Sequence, residues 1–172
     1  MPLPTFERLT PEKQARVRSA LLSEFSQYPL ATAQVARIVQ EAGIARGAFY
    51  KYYRNLEDAY RDLFGVAMRA IHRNLPKRPT AENSAAYVAG IRDFMTGVTA
   101  SGYRDLIMMH YRYNESTLGQ QPTKVTTSAQ GAVEWARTVL YHQTVRDIIL
   151  EPDSQEQRLA QLAAVLRKEK ED

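Results

Sequence analysis

The sequence predicts an all-α protein, with an N-terminal three-helix helix-turn-helix domain followed by a C-terminal helical domain. Three observations carry this. Apolar residues recur at three- and four-residue spacing along the chain, without sustained strand-like alternation. Helix ends are marked by capping residues and prolines. Between residues 33 and 53, two short amphipathic helices meet at a tight turn at Gly43, which is helix-turn-helix spacing.

Thr10-Pro11-Glu12 opens the first helix: a side-chain oxygen caps free amides, proline fits the first turn, and the carboxylate suits the dipole. Its buried stripe is Val17, Ala20, Leu21, Glu24 and Phe25, with Lys13, Arg16 and Arg18 mostly off it, and Tyr28-Pro29-Leu30 breaks it after about Gln27. Thr32 is expected to cap a second, short helix carrying Val35, Ile38 and Val39, which stops near Ala42-Gly43 because glycine takes the left-handed conformation. A third runs from about Ile44 to Tyr52. After Arg54, Asn55 with Glu57 and Asp58 resembles a capped start, opening a fourth helix to about Asn74, which Pro76 and Pro79 close. Helices follow at about 82–100, 103–117, 127–150 and 154–169, with Ser116 to Ser128 as the one substantial loop. The domain reading is a DNA-binding domain over 1–54, a connecting helix over 55–78 and a dimerisation and effector domain over 79–172.

Composition sets limits on function. A chain of 172 residues that is 44% hydrophobic buries a real core. No stretch approaches the roughly 20 apolar residues of a membrane span, and Met1-Pro2-Leu3-Pro4 lacks the layout of a signal peptide, so a cytoplasmic location is expected. The absence of cysteine excludes disulfides, thiolate metal sites and a cysteine nucleophile. Residues 1–78 hold 13 Lys or Arg against 7 Asp or Glu, and the rest hold 10 against 12, so the surplus positive charge lies at the N-terminal end. That end is the candidate for a polyanion.

On the third helix, Ile44, Ala48 and Phe49 are placed to face the core, leaving Ala45, Arg46, Gly47, Tyr50 and Lys51 outward. Such a face suits a major groove: Arg46 reaches guanine O6 and N7, Gly47 lets the backbone approach, and Tyr50 and Lys51 reach phosphates or thymine methyls. The run from Val35 through Gln40, Gly43, Arg46, Gly47 and Tyr50 to Tyr53, with Leu56-Glu57-Asp58-Ala59 after it, resembles the DNA-binding domain of the TetR family of transcriptional regulators over about residues 10–70. The resemblance implies a homodimeric, ligand-responsive repressor whose reading helices enter successive major grooves of a palindromic operator in double-stranded DNA. Thr32, Gln34, Ala45, Arg46, Gly47, Tyr50, Lys51, Tyr52 and Arg54 are the expected DNA contacts. The chain departs from the family pattern at Ala45 and Ala48, where hydroxyl residues are usual, and at Leu56, where a phosphate-binding lysine is usual. Pro29-Leu30 replaces a Gly-aromatic pair and Tyr52 a histidine. Arg46 is therefore expected to carry more of the base discrimination, with Arg54 standing in for the lost lysine.

The helix at 127–150 is apolar on more than one face, through Ala132, Val133, Trp135, Ala136, Val139, Leu140, Ile148 and Ile149, and such a helix needs two partners. Paired with the last helix it is expected to form half of an intermolecular four-helix bundle, with Trp135, Val139, Leu159, Leu162 and Leu166 at the dimer interface. Burial of both helices within the monomer is the alternative. Tyr87, Phe94, Tyr103, Met108, Met109, His110, Tyr111, Tyr113 and Trp135 are candidates to line a pocket for a small hydrophobic or cationic effector, with Tyr103, His110 and Trp135 first because each joins an apolar body to a polar tip.

A helical-bundle enzyme is the rival from another class. His72, His110 and His142 fall on separate predicted helices without Glu-x-x-His spacing, and there is no phosphate loop or G-x-S-x-G elbow. No catalytic residue, metal or cofactor is expected. A helix-turn-helix dimer that organises DNA without sequence preference is the remaining alternative.

Overall fold

The computed structural model describes residues 2–73, 84–119, 122–123 and 125–168, and these form helices without a strand. In chain order they are α1 (Pro4–Glu7), α2 (Pro11–Gln27), α3 (Val35–Ala42), α4 (Arg46–Tyr52), α5 (Leu56–Ile71), α6 (Ser84–Ala100), α7 (Arg104–Met109), a π-helical turn (His110–Asn114), α8 (Glu115–Leu118), α9 (Ala129–Leu150), a 3-10 turn (Pro152–Ser154) and α10 (Gln155–Lys168). The local signals act where expected. Thr10 Oγ1 accepts from the Lys13 amide at 3.4 Å and Asn55 Oδ1 from the Asp58 amide at 2.8 Å. Gly43, at φ 61 and ψ 42, closes α3 and turns the chain into α4.

Three local features differ from expectation. Thr32 does not cap α3; its hydroxyl donates to the Pro29 carbonyl at 3.2 Å, and the residue at the cap is Gln34, whose amide donates to Glu24 Oε1 at 2.6 Å. The carboxylate reaches in from α2 and takes over the role foreseen for the hydroxyl. The helix expected over 103–117 is interrupted by the π-helical turn, which shifts its register midway. Helix α1 was not foreseen. The predicted extension to Asn74, the Pro76 and Pro79 connector, the boundary after Arg78 and the last residue of the final helix lie outside the described residues.

The chain forms two compact bodies. The first comprises Met1–Arg73 with Ser101–Gln120. Its core joins Phe6, Val17, Leu21, Phe25, Ile38, Phe49, Tyr53, Tyr60, Leu63 and Leu106, each nearly or fully buried. Each large apolar side chain withdrawn from water contributes roughly 1.5–3 kcal/mol, so this cluster is what folds the body. Leu106 brings α7 into that core, although α7 lies far from the helix-turn-helix in sequence.

The second body comprises Asn74–Ala100 with Gln121–Asp172, where α10 packs on α6 and α9. Ile91, Met95 and Val98 of α6 meet a core completed by Val145, Ile148 and Ile149 of α9 and Leu159, Leu162 and Leu166 of α10. This corrects the expected interface: Leu159, Leu162 and Leu166 are 1%, 3% and 5% exposed within a single chain and have no surface left to offer a second copy. The apolar stripe of α6 covers them. Trp135 and Val139 remain exposed, at 47% and 39%.

Candidate nucleic-acid interface

Helix α4 divides its faces as its period demands. Phe49 is fully buried and Ile44 and Ala48 are half-buried, whereas Ala45, Arg46, Gly47, Tyr50 and Lys51 are exposed. A Cβ at Gly47 would meet nothing within 4 Å among the described residues, so none of them requires glycine there. Neither Arg46 nor Lys51 enters an ion pair among the described residues. Thr32 and Gln34 are exposed at the entry to α3. Arg54 is exposed and approaches the Asp58 carboxylate at 3.7 Å. Tyr52 differs from the rest: it is half-buried, with its ring edge-on to Phe6 at 5.8 Å.

Two buried carboxylates hold this head together. Glu24 accepts from the Gln34 amide at 2.6 Å and from Arg37 Nε at 2.8 Å and Nη2 at 2.5 Å, tying α2 to the start of α3. Arg37 also stacks 3.9 Å above the Tyr28 ring. Its bonds to Glu24 hold its guanidinium above the ordinary pKa, and it is committed to the fold. Asp62 accepts from Arg18 Nε at 3.2 Å and from the Tyr53 hydroxyl at 3.0 Å, tying α5 to α2 and to the residue that ends α4. Burial, followed by the Asp62 charge, pushes the Tyr53 phenol far above its usual range. Sequence reasoning placed Glu24 on the buried stripe but assigned it no task, although a carboxylate on an apolar face was itself the signal. Asp62 and Phe6 were missed.

The candidate effector residues divide between the bodies. In the first, Tyr103 is half-buried against the core, and His110 is buried with Nδ1 3.0 Å from the Tyr60 hydroxyl and its ring 4.1 Å from that of Phe64. In the second, exposed Trp135 donates from Nε1 to Thr123 Oγ1 at 2.8 Å. Tyr87 and Tyr141 lie ring to ring at 5.6 Å, with Phe94 6.3 Å from Tyr141. The Tyr87 hydroxyl donates to the Arg137 carbonyl at 3.2 Å, whereas the Tyr141 hydroxyl oxygen is buried without a partner among the described residues. The imidazoles of His72 and His142 bond to carbonyls one turn earlier on their own helices, those of Met68 and Thr138. No group of three or more His, Asp or Glu among the described residues is placed to hold a metal ion.

A short helix with a bare, partly cationic outer face, braced across a glycine turn by a second helix, defines a helix-turn-helix DNA-binding head. Residues 18–59, which span that head, match the family model described as bacterial regulatory proteins, tetR family. The chain is also similar to the crystal structure of a TetR family transcriptional regulator from Chloroflexus aurantiacus, with a TM-score of 0.56 and 19% identity over 98% of this chain and 97% of that one. That likeness is one of fold. No curated protein matches the sequence. The match to the family model thus falls on the N-terminal head, the part of the chain that carries the helix-turn-helix. Among the described residues no helix is long and apolar enough to cross a membrane.

Proposed function

We propose that the protein is a homodimeric, ligand-responsive transcriptional repressor that reads a palindromic operator through Arg46, Gly47, Tyr50 and Lys51 of α4. The observation that carries this reading is the unpaired, exposed state of Arg46 and Lys51 on a helix whose opposite face is buried. Thr32, Gln34, Tyr52 and Arg54 complete the proposed contacts, and Arg54 supplies the charge for a phosphate where the family's lysine is replaced by Leu56. With Ala45 and Ala48 offering no hydroxyl, base discrimination falls chiefly to Arg46, through a bidentate bond to guanine. Two-fold pairing is supported by the row Ala132, Trp135, Ala136 and Val139, which recurs at three- and four-residue spacing on the outward side of α9. A second copy covering this row would bring two reading heads into one dimer.

Ligand response is supported by the aromatic cluster of the second body, where the buried Tyr141 hydroxyl awaits an acceptor or donor. A small hydrophobic or cationic effector that prefers the form unable to span both half-sites lowers operator affinity by linkage, typically by about 1–3 kcal/mol. Among the described residues no group of three or more His, Asp or Glu is placed to favour a metal-dependent enzyme. Selection of bound duplexes from a random pool tests the proposal: recovery of a palindrome with half-sites about one helical turn apart is expected, and recovery of unrelated sequences in equal measure would leave only a DNA-organising role.

A further inference from the structure

We infer that residues 2–9 are a brace for the reading helix, in which the Leu3 amide and the Phe6 ring hold the C-terminal end of α4 in its reading position. The inference rests on the reading of α4 as the helix that contacts DNA. Helix α4 has seven residues and its N-cap, Ala45, supplies no side-chain cap. A helix so short is not stable alone. Its outer face is bare, so it must be held from its inner side and its ends. Phe49 does the first.

The far end is held by the N-terminal segment. The Leu3 amide donates to the Tyr52 carbonyl at 2.8 Å, satisfying one of the last carbonyls of α4, which have no donor within the helix. Phe6, fully buried, lies 5.8 Å from the Tyr52 ring and 5.1 Å from that of Tyr53. The Arg18 guanidinium sits 4.9 Å above the Phe6 ring and is fixed to Asp62, the same carboxylate that accepts the Tyr53 hydroxyl. The brace, the end of α4, α2 and α5 thus form a closed circuit of contacts.

Position matters because base reading is geometrically strict. At 1.5 Å per residue α4 is about 10 Å long, so a tilt of about 10° about its middle moves either end by about 1 Å. That displacement takes a hydrogen bond from its optimum to beyond the useful range. Leu3 and Phe6 are positioning residues: they touch no base, and they act through α4.

Leu3 allows a clean test, because its φ of −77° and ψ of 155° are values proline adopts. Leu3→Pro removes the amide donor, whereas Leu3→Ala removes the side chain and keeps the donor. Full-length variants are compared on two probes, a duplex selected by the wild type from a random pool and a scrambled duplex of equal length and composition. Relative to Leu3→Ala, Leu3→Pro is expected to bind the selected duplex about five-fold more weakly, the size of one hydrogen bond, with scrambled binding unchanged. Phe6→Leu, which keeps an apolar filling but loses the ring contacts, should lower the same ratio and provides the answer if Leu3→Pro does not fold. Equal ratios of selected to scrambled binding in all variants, or equal weakening on both probes, would overturn the brace. A wild type that does not discriminate between the probes would instead overturn the sequence-specific reading, and the inference with it.

Discussion

Replacing Tyr53 by phenylalanine removes one oxygen from the joint between α4 and the rest of the head. The ring contacts survive the change: Phe6 at 5.1 Å and Phe49 at 5.7 Å depend on the aromatic body alone. What is lost is the hydroxyl's bond to Asp62 Oδ2 at 3.0 Å. A hydrogen bond to a charged group is worth about 1.5–3 kcal/mol net. Asp62 keeps Arg18, at 3.2 Å and 3.4 Å, so its carboxylate is not orphaned and the cost falls near the lower end, about 1.5 kcal/mol. For a chain of this size each kcal/mol lowers Tm by roughly 2–4 °C, so Tyr53→Phe should melt about 4 °C below the wild type. Thermal unfolding followed by circular dichroism measures this. A variant that melts at or above the wild type would refute the assignment of Tyr53 and Asp62 as the joint.

Lys51→Ala should weaken binding to every duplex alike and flatten the slope of log affinity against log salt by about one per head; an unchanged slope would remove Lys51 from the phosphate contacts. Val139→Glu places a charge in the outward apolar row of α9 and should convert a dimer to a monomer in sedimentation, with operator affinity falling as well; a dimer of unchanged strength would move the interface elsewhere. Stability should also fall in alkali. Burial pushes Tyr87 and Tyr141 up to about 12 and Tyr53 and Tyr60 higher still, so the folded chain keeps protons that the unfolded chain releases near its ordinary phenol pKa of about 10. Their contribution is complete below about pH 10 and is lost as pH rises toward about 12. Urea midpoints at pH 8, 10 and 11 would show this, and a midpoint flat through pH 11 would contradict it.

Short-range physics was legible in the sequence. Thr10, Asn55 and Gly43 act on residues within one helical turn, so their roles can be read without knowing the fold. The division of α4 into a buried Phe49 side and an exposed Arg46 and Lys51 side follows from the 3.6-residue period in the same way. Long-range partnership was not legible. An apolar face on α10 says that Leu159, Leu162 and Leu166 need cover but not whose; α6 of the same chain provides it, where a second copy had been expected. Four-residue α1 is too short to show a period, and Phe6 acquires its role only when α4 arrives beside it. The π-helical turn at His110–Asn114 is a change of register that leaves no mark in composition. Glu24 lies between these extremes: its burial was legible, its grip on Arg37 and Gln34 was not.

The most direct test of the central claim, that Arg46 on the bare face of α4 reads bases, is competition binding of wild type and Arg46→Ala to a selected operator and to a scrambled duplex at fixed salt. The account predicts that the variant loses about 1–3 kcal/mol of preference for the selected site, with the loss confined to base pairs that Arg46 contacts. A ratio of selected to scrambled affinity identical to that of the wild type would contradict it.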